Sequence, residues 1–179
     1  MPDSPPSKQP APGPHRSAVS ASTHLEIESL VRGLHAQHRG NFDGMPADYI
    51  PELSRVPPDQ FGIAIANHAG EIVAAGDARA PFTIQSVSKA LTFAMLLDTA
   101  GRDATYASVG VQPSGDPFNS ITLDPRTNRP FNPMVNAGAI AVAGRLREVL
   151  GHTAFAQVLE TFSHAAGRDL SVDERVFAS

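Results

Sequence analysis

The feature of the sequence that most constrains the fold is an apolar run that begins at a serine and a lysine. The run Ala90–Leu97 is interrupted only by Thr92, and it follows directly on Phe82–Lys89. A helix that is apolar on nearly every face is buried rather than amphipathic. We therefore predict a buried helix from Ser86 onward, entered by an extended segment.

Ser86 and Lys89 are three residues apart, so on a helix their side chains lie on one face, a turn apart. A serine hydroxyl is a poor nucleophile until a neighbouring base takes its proton. A lysine can be that base where burial lowers its pKa, by up to about 3–5 units, and the N-terminal end of a helix acts in the same direction. An arginine does not deprotonate in proteins. The pair predicts an enzyme; the alternative is a lysine that extends its amine to solvent.

The composition makes Lys89 unusual and excludes several classes of protein. The only lysines are Lys8, in a proline-rich stretch, and Lys89. A net charge of −4 and a pI near 5.9 argue against nucleic-acid binding. With no cysteine there are no disulfides and no thiolate metal sites. The longest apolar runs are too short to span a bilayer, and the N-terminus has no secretory apolar segment, so we expect a cytoplasmic protein.

The chain divides into a tail and a folded part. Residues 1–22 are rich in proline and serine, so we predict a disordered tail. Residues 23–179 alternate helix and strand patterns that are separated by turn formers, and they form the predicted folded part. The predicted elements are a helix from Thr23 to near Gly40, a hairpin of Phe61–Ala66 and Glu71–Gly76, the Ser86 helix, a long loop over Val109–Pro133, a small-residue helix over Met134–Gly144, a helix from Phe155 to Gly167 and a last element from Leu170.

Several polar or aromatic residues have two interpretations. His35 and His38 lie one turn apart and could supply half of a metal site, but nothing completes it, so we favour solvated histidines and no metal. Tyr49, a lone aromatic before Ile50-Pro51, is consistent with packing. Asn136 either caps the small-residue helix or, if it faces Ser86, offers its amide to a polar ligand.

Six motifs together resemble the serine-dependent glutaminases, in the family's order and close to its spacing over roughly residues 25–179. They are Asp48–Leu53, Phe61–Ile65, Ala75–Asp77, Phe82–Lys89, Pro113–Gly115 with Phe118-Asn119, and Asn132–Ile140. The resemblance implies an α+β fold of the β-lactamase/transpeptidase type. In that fold an antiparallel sheet packs with helices beside a helical region, and here we expect it to be incomplete at the C-terminus.

The resemblance also implies hydrolysis of L-glutamine to L-glutamate and ammonia, without a cofactor. Ser86 would be the nucleophile and Lys89 its proton acceptor. Tyr49, Ser86 and Asn136 match family positions that contact the substrate. The family commonly forms homotetramers.

Family members carry further substrate-binding residues beyond the point that corresponds to Ser179. We therefore expect a fragment of the catalytic domain that is inactive, or nearly so, alone. One alternative is a penicillin-binding or β-lactamase-type enzyme, although the Ser-Asp-Asn and Lys-Thr-Gly partners are absent from the sequence. Another is a truncated, non-catalytic paralogue that assembles with full-length subunits.

Overall fold

The computed structural model describes residues 21–178, which form two compact units. The first unit runs to Pro81 and the second covers Phe82–Phe177. The expected disordered tail, residues 1–22, lies outside the described residues apart from its last two positions, with which the first helix begins.

The first unit is a helix packed on a hairpin. Helix α1 spans Ala21–His38, a 3-10 turn covers Leu53–Arg55, and strands β1 (Gly62–Ala66) and β2 (Ile72–Gly76) pair antiparallel. The register runs from Gly62 opposite Gly76 to Ala66 opposite Ile72, which confirms the predicted hairpin. Its turn is stabilised by Asn67, whose Oδ1 accepts hydrogen bonds from the main-chain N–H groups of Ala69 and Glu71 at 2.9 and 3.0 Å.

His35 holds α1 against the hairpin, so the expectation that it is a solvated side chain was wrong. Its ring stacks on Phe61 at 5.2 Å between centroids, and Nε2 lies 3.2 Å from the Phe61 main-chain oxygen. A Cβ at Gly76 would come within 2.0 Å of the same Nε2, so only glycine leaves room for the ring. Val31 of the same helix is fully buried. His38 is exposed.

The second unit is mainly helical. Its elements are a 3-10 turn at Gln85–Val87, α2 (Ser88–Ser108), β3 (Leu123–Asp124) paired antiparallel with β4 (Arg129–Pro130), α3 (Asn136–Leu150), a 3-10 turn at Gly151–Thr153, α4 (Ala154–Ala166) and α5 (Glu174–Ala178). The small-residue helix packs against the Ser86 helix as predicted, because α2 and α3 are joined by the core of Leu96, Val109, Val142 and Leu146.

Helix α2 differs from its prediction in two respects. Only Lys89, Leu96 and Thr105 are buried, so the helix has one buried face rather than being enclosed on every side. It also has a kink that was not predicted, at Gly101, where φ is 77° and ψ is 169°. The Thr105 hydroxyl lies 2.7 Å from the main-chain oxygen of Gly101 and 3.3 Å from that of Leu96, and the second of these contacts ties the segment after the kink to the one before it.

The helix predicted from Phe155 to Gly167 is present as α4, but the burial of its side chains differs from an amphipathic pattern at one position. α4 ends at Gly167, whose left-handed φ of 64° closes it in the way that glycine favours. Phe162 is buried on its inner face. Phe155, where the amphipathic helix was predicted to begin, is 61% exposed.

None of the helices within residues 21–178 is long and apolar enough to cross a membrane.

Candidate active site

Ser86 lies in the 3-10 turn that leads into α2, rather than in the α-helix itself. The preceding residue, Gln85, has a left-handed φ of 46°, which is uncommon for a residue with a side chain. Two hydrogen bonds hold the turn: the Ser88 hydroxyl donates to the Gln85 main-chain oxygen at 2.7 Å, and the Gln85 amide donates to the Thr83 hydroxyl at 2.9 Å. Ser86 itself is exposed at the start of the helix.

Lys89 is buried, with 8% of its surface exposed, in the first turn of α2. Its Nζ donates to the main-chain oxygen of Met134 at 3.0 Å and to Oδ1 of Asn136 at 2.6 Å. A buried amine needs such partners, because an unpaired buried polar group is costly. Lys89 is therefore not the solvent-directed lysine of the alternative interpretation.

Asn136 is the first residue of α3, and its side chain does not cap the helix. Its Oδ1 binds the Lys89 amine, and its main-chain N–H donates to the Phe118 oxygen at 2.8 Å. The structure thus brings Lys89 and Asn136 together, which the sequence allowed but did not require. The role found for this Asn136 oxygen is to hold the amine.

Two further residues of this site were not singled out from the sequence. The ring of Phe118 lies over the Lys89 amine, 5.3 Å from Nζ to the centroid, within the range of a cation–π contact. The side chain of Asn132 organises the segment that carries both lysine acceptors. The available signal was indirect: both residues lie in two of the six family motifs and in a long loop of a kind that usually covers a site.

Tyr49, the remaining predicted site residue, belongs to the first unit and is 71% exposed. It lies just before the 3-10 turn at Leu53–Arg55. Within residues 21–178, no group of three or more His, Asp or Glu side chains is arranged to hold a metal ion.

One carboxylate of the second unit is electrostatically perturbed. Asp124, 9% exposed, accepts a hydrogen bond from the Arg126 main-chain N–H at 2.9 Å. That N–H and, to a smaller degree, the Arg126 side chain hold the pKa of Asp124 below its usual range, although burial opposes the shift. The carboxylate fixes the turn between β3 and β4 rather than the lysine site.

Similar solved structures include a protein called Mglu and two proteins described as glutaminases. A crystal structure of Mglu in its glutamate form matches with TM-score 0.77 and 39% identity, over 86% of this chain and 36% of that chain. A probable glutaminase, ybaS, matches with TM-score 0.70 and 31% identity, over 81% of this chain and 46% of the other. The helices and small antiparallel sheets of this chain align with those structures. The chain therefore has part of a β-lactamase/transpeptidase-like α+β fold, which confirms the predicted fold class.

Sequence comparison gives the family. The glutaminase family model matches residues 44–179. Glutaminase 2 of Bradyrhizobium diazoefficiens is 51% identical over 157 residues, 88% of this chain and 25% of that protein, and the glutaminase of Trichormus variabilis is 42% identical over 84% of this chain and 45% of its own length. The chain belongs to the glutaminase family, and it spans about a quarter to a half of the length of these relatives.

Proposed function

We propose that this chain forms the nucleophile-bearing part of an enzyme that hydrolyses L-glutamine to L-glutamate and ammonia through an acyl-enzyme on Ser86. Family membership supports the substrate and the reaction. The single observation that supports the mechanism is the pair of hydrogen bonds made by the Lys89 amine.

The two acceptors of Lys89 suit a proton acceptor. A neutral amine has two N–H groups and one lone pair. If the N–H groups point at Met134 O and Asn136 Oδ1, both are used, and the lone pair is left for a third direction. Ser86 lies three residues before Lys89, in the 3-10 turn that leads into α2. Its hydroxyl is the proposed proton donor.

The reaction then proceeds in two balanced halves. Ser86 Oγ attacks the side-chain amide carbon of glutamine while Lys89 Nζ takes the hydroxyl proton. Lys89 returns that proton to the departing nitrogen, the C–N bond breaks, and ammonia leaves an ester on Ser86. Water attacks the ester and gives its proton to Lys89, which passes it to Ser86 Oγ as glutamate leaves. Main-chain N–H groups, including that of Ser86, stabilise the oxyanion in both halves.

Substrate contacts by Tyr49, Ser86 and Asn136 are part of the same proposal and rest on the family resemblance. So do a homo-oligomeric, tetrameric assembly and the cytoplasmic location, which stay predictions. We also propose that the isolated 179-residue chain has little or no activity. Two observations support this. The chain covers only a quarter to a half of the length of its relatives, and it leaves large apolar side chains exposed, among them Phe82, Ile140 and Phe155.

Two measurements test these proposals. Protein purified from the organism that makes it is assayed for ammonia release from L-glutamine, and its intact mass is compared with 18.9 kDa. Hydrolysis that Ser86→Ala abolishes and Ser108→Ala, at the other end of α2, preserves would support the nucleophile. Activity that survives Ser86→Ala would refute it, and acylation of Ser86 by a penicillin-type probe would favour the β-lactamase-type alternative.

The same assay on the isolated chain tests the proposed inactivity. Glutamine hydrolysis by the 179 residues, abolished by Ser86→Ala, would overturn that part. Co-purification of an inactive 18.9 kDa chain with longer glutaminase subunits would support the paralogue alternative.

A further inference from the structure

Both acceptors of the Lys89 amine come from one short segment, Asn132–Asn136. One is the main-chain oxygen of Met134 and the other is the side-chain oxygen of Asn136. The position of the amine therefore depends on the conformation of this segment. Met134 and Val135 precede α3, so no helical hydrogen bond fixes their N–H groups.

The Asn132 side chain supplies the missing partners. Its Oδ1 accepts from the N–H of Met134 at 3.0 Å and from the N–H of Val135 at 3.2 Å. An asparagine that binds the main chain two residues on stabilises a turn at that point. The turn determines where the Met134 carbonyl lies, since that carbonyl and the Val135 N–H belong to the same peptide group.

The other end of the same amide ties the turn to the preceding loop. Asn132 Nδ2 donates to the Gln112 main-chain oxygen at 2.9 Å. Two main-chain hydrogen bonds continue this pairing, from Gln112 N to Phe131 O at 3.0 Å and from Gly110 N to Pro130 O at 2.9 Å. The Asn132 amide is thus the junction between this paired stretch and the lysine-binding turn.

The backbone of Asn132 is confined as well. A Cβ at Gly138 would come within 1.9 Å of the Asn132 main-chain oxygen, so the first turn of α3 lies directly against it. Asn132 is held by main-chain contact on one side and by its amide on two others. No side chain other than an amide offers both an acceptor and a donor with this shape.

We propose that Asn132 is a positioning residue for the Lys89 amine, acting by fixing the turn that carries both acceptors. Its catalytic consequence rests on the proposed function, but its structural consequence does not. Loss of the amide should free the Met134 carbonyl and expose the amine more often to solvent.

The sequence allows a direct test, because the chain has only one lysine besides Lys89, namely Lys8. The folded chain is treated with limiting acetic anhydride at several pH values, and acetylation of each lysine is read by mass spectrometry of peptides. Lys8 serves as the internal reference, and the urea-unfolded chain gives the unprotected rate of Lys89. Asn132→Asp keeps the acceptor but loses the donor to Gln112, and Asn132→Leu loses both.

We expect Lys89 to be acetylated more slowly than in the unfolded chain, as its burial dictates. Asn132→Asp should raise its rate relative to Lys8 by about three- to tenfold, the effect of one lost hydrogen bond on a local opening. Asn132→Leu should raise it further, and the exposed control Asn119→Asp should not change it. An unchanged Lys89 rate in Asn132→Asp overturns the proposal, whether or not Asn132→Leu folds.

In protein that hydrolyses glutamine, Asn132→Asp should lower kcat and displace the pH–rate profile, while KM changes little. A protein that hydrolyses no glutamine would refute the proposed function but leave the acetylation result standing. Faster acetylation with an unaltered kcat and pH profile would confine Asn132 to a structural role and overturn its part in catalysis.

Discussion

The side-chain oxygen of Asn136 accepts a 2.6 Å hydrogen bond from the Lys89 amine, 47 residues earlier in the chain. This contact joins the first turn of α3 to the first turn of α2, directly after the end of the Ser86 turn. Its loss would leave a buried amine with one acceptor fewer.

We therefore expect Asn136→Ala to lower the free energy of unfolding by about 1–3 kcal/mol, the cost of a hydrogen bond to a polar or charged group that is left incomplete. Urea unfolding monitored by circular dichroism measures the change. The control is Asn119→Ala, an exposed position in the preceding loop. Equal stabilities for the two variants would contradict the importance of the Lys89–Asn136 contact.

Lys89→Arg tests the proposed proton transfer. A guanidinium keeps the positive charge but cannot accept a proton in a protein, so glutamine hydrolysis should fall by about 10²–10⁴-fold, as for loss of a general base. The matched control is Arg102→Lys, an exposed cation on the same helix, which should leave ammonia release unchanged. Retained activity in Lys89→Arg would exclude Lys89 as the base.

Two glycines of α3 give a paired stability test. A Cβ at Gly138 meets the Asn132 oxygen at 1.9 Å, whereas a Cβ at Gly144 meets nothing within 4 Å. Gly138→Ala should destabilise the fold by about 1–3 kcal/mol through overpacking, and Gly144→Ala should stabilise it by up to about 1 kcal/mol through helix propensity. Thermal or urea unfolding distinguishes them, and changes of the same sign would refute the close approach at Gly138.

Asp124 predicts a pH dependence of stability. Its pKa is lowered in the folded state, chiefly by the Arg126 N–H, so the carboxylate stabilises the fold above its unfolded-state pKa. That contribution disappears as the pH falls through the lowered folded-state value. Asp124→Asn should therefore be less stable than the unmodified protein at pH 7, and the difference should shrink in acid. The exposed control Asp116→Asn should show a smaller difference at pH 7.

A difference between Asp124→Asn and the unmodified protein that persists unchanged at acid pH would contradict the assignment. Urea unfolding at a series of pH values below neutrality makes this comparison.

Local patterns in the sequence predicted the elements that local physics determines. The alternating runs around Asn67 predicted the hairpin, and the small residues of α3 predicted its packing on α2. The kink of α2 at Gly101 was not predicted, because glycine adopts helical and non-helical conformations alike and nothing in the residue pattern chooses between them.

The candidate site was predicted only in part, because only some of its contacts are local in the sequence. Ser86 and Lys89 stand at a helical spacing that one sequence shows. The partners of Lys89 lie 45 and 47 residues away, so only the fold brings them to the amine. Asn132 was visible only as part of a loop and of a family motif, since its role consists of contacts with main-chain atoms that carry no residue signature.

One acceptor of Lys89 is a main-chain atom, and this has a consequence for engineering the site. The carbonyl of Met134 is present whatever side chain stands there, and that side chain is 43% exposed. Position 134 can therefore be diversified in a library, with polar, charged or bulky residues, while the amine keeps its main-chain partner. It is a natural place to attach a reporter group beside Lys89, or to alter the local surface, without redesigning the hydrogen bonds beneath it.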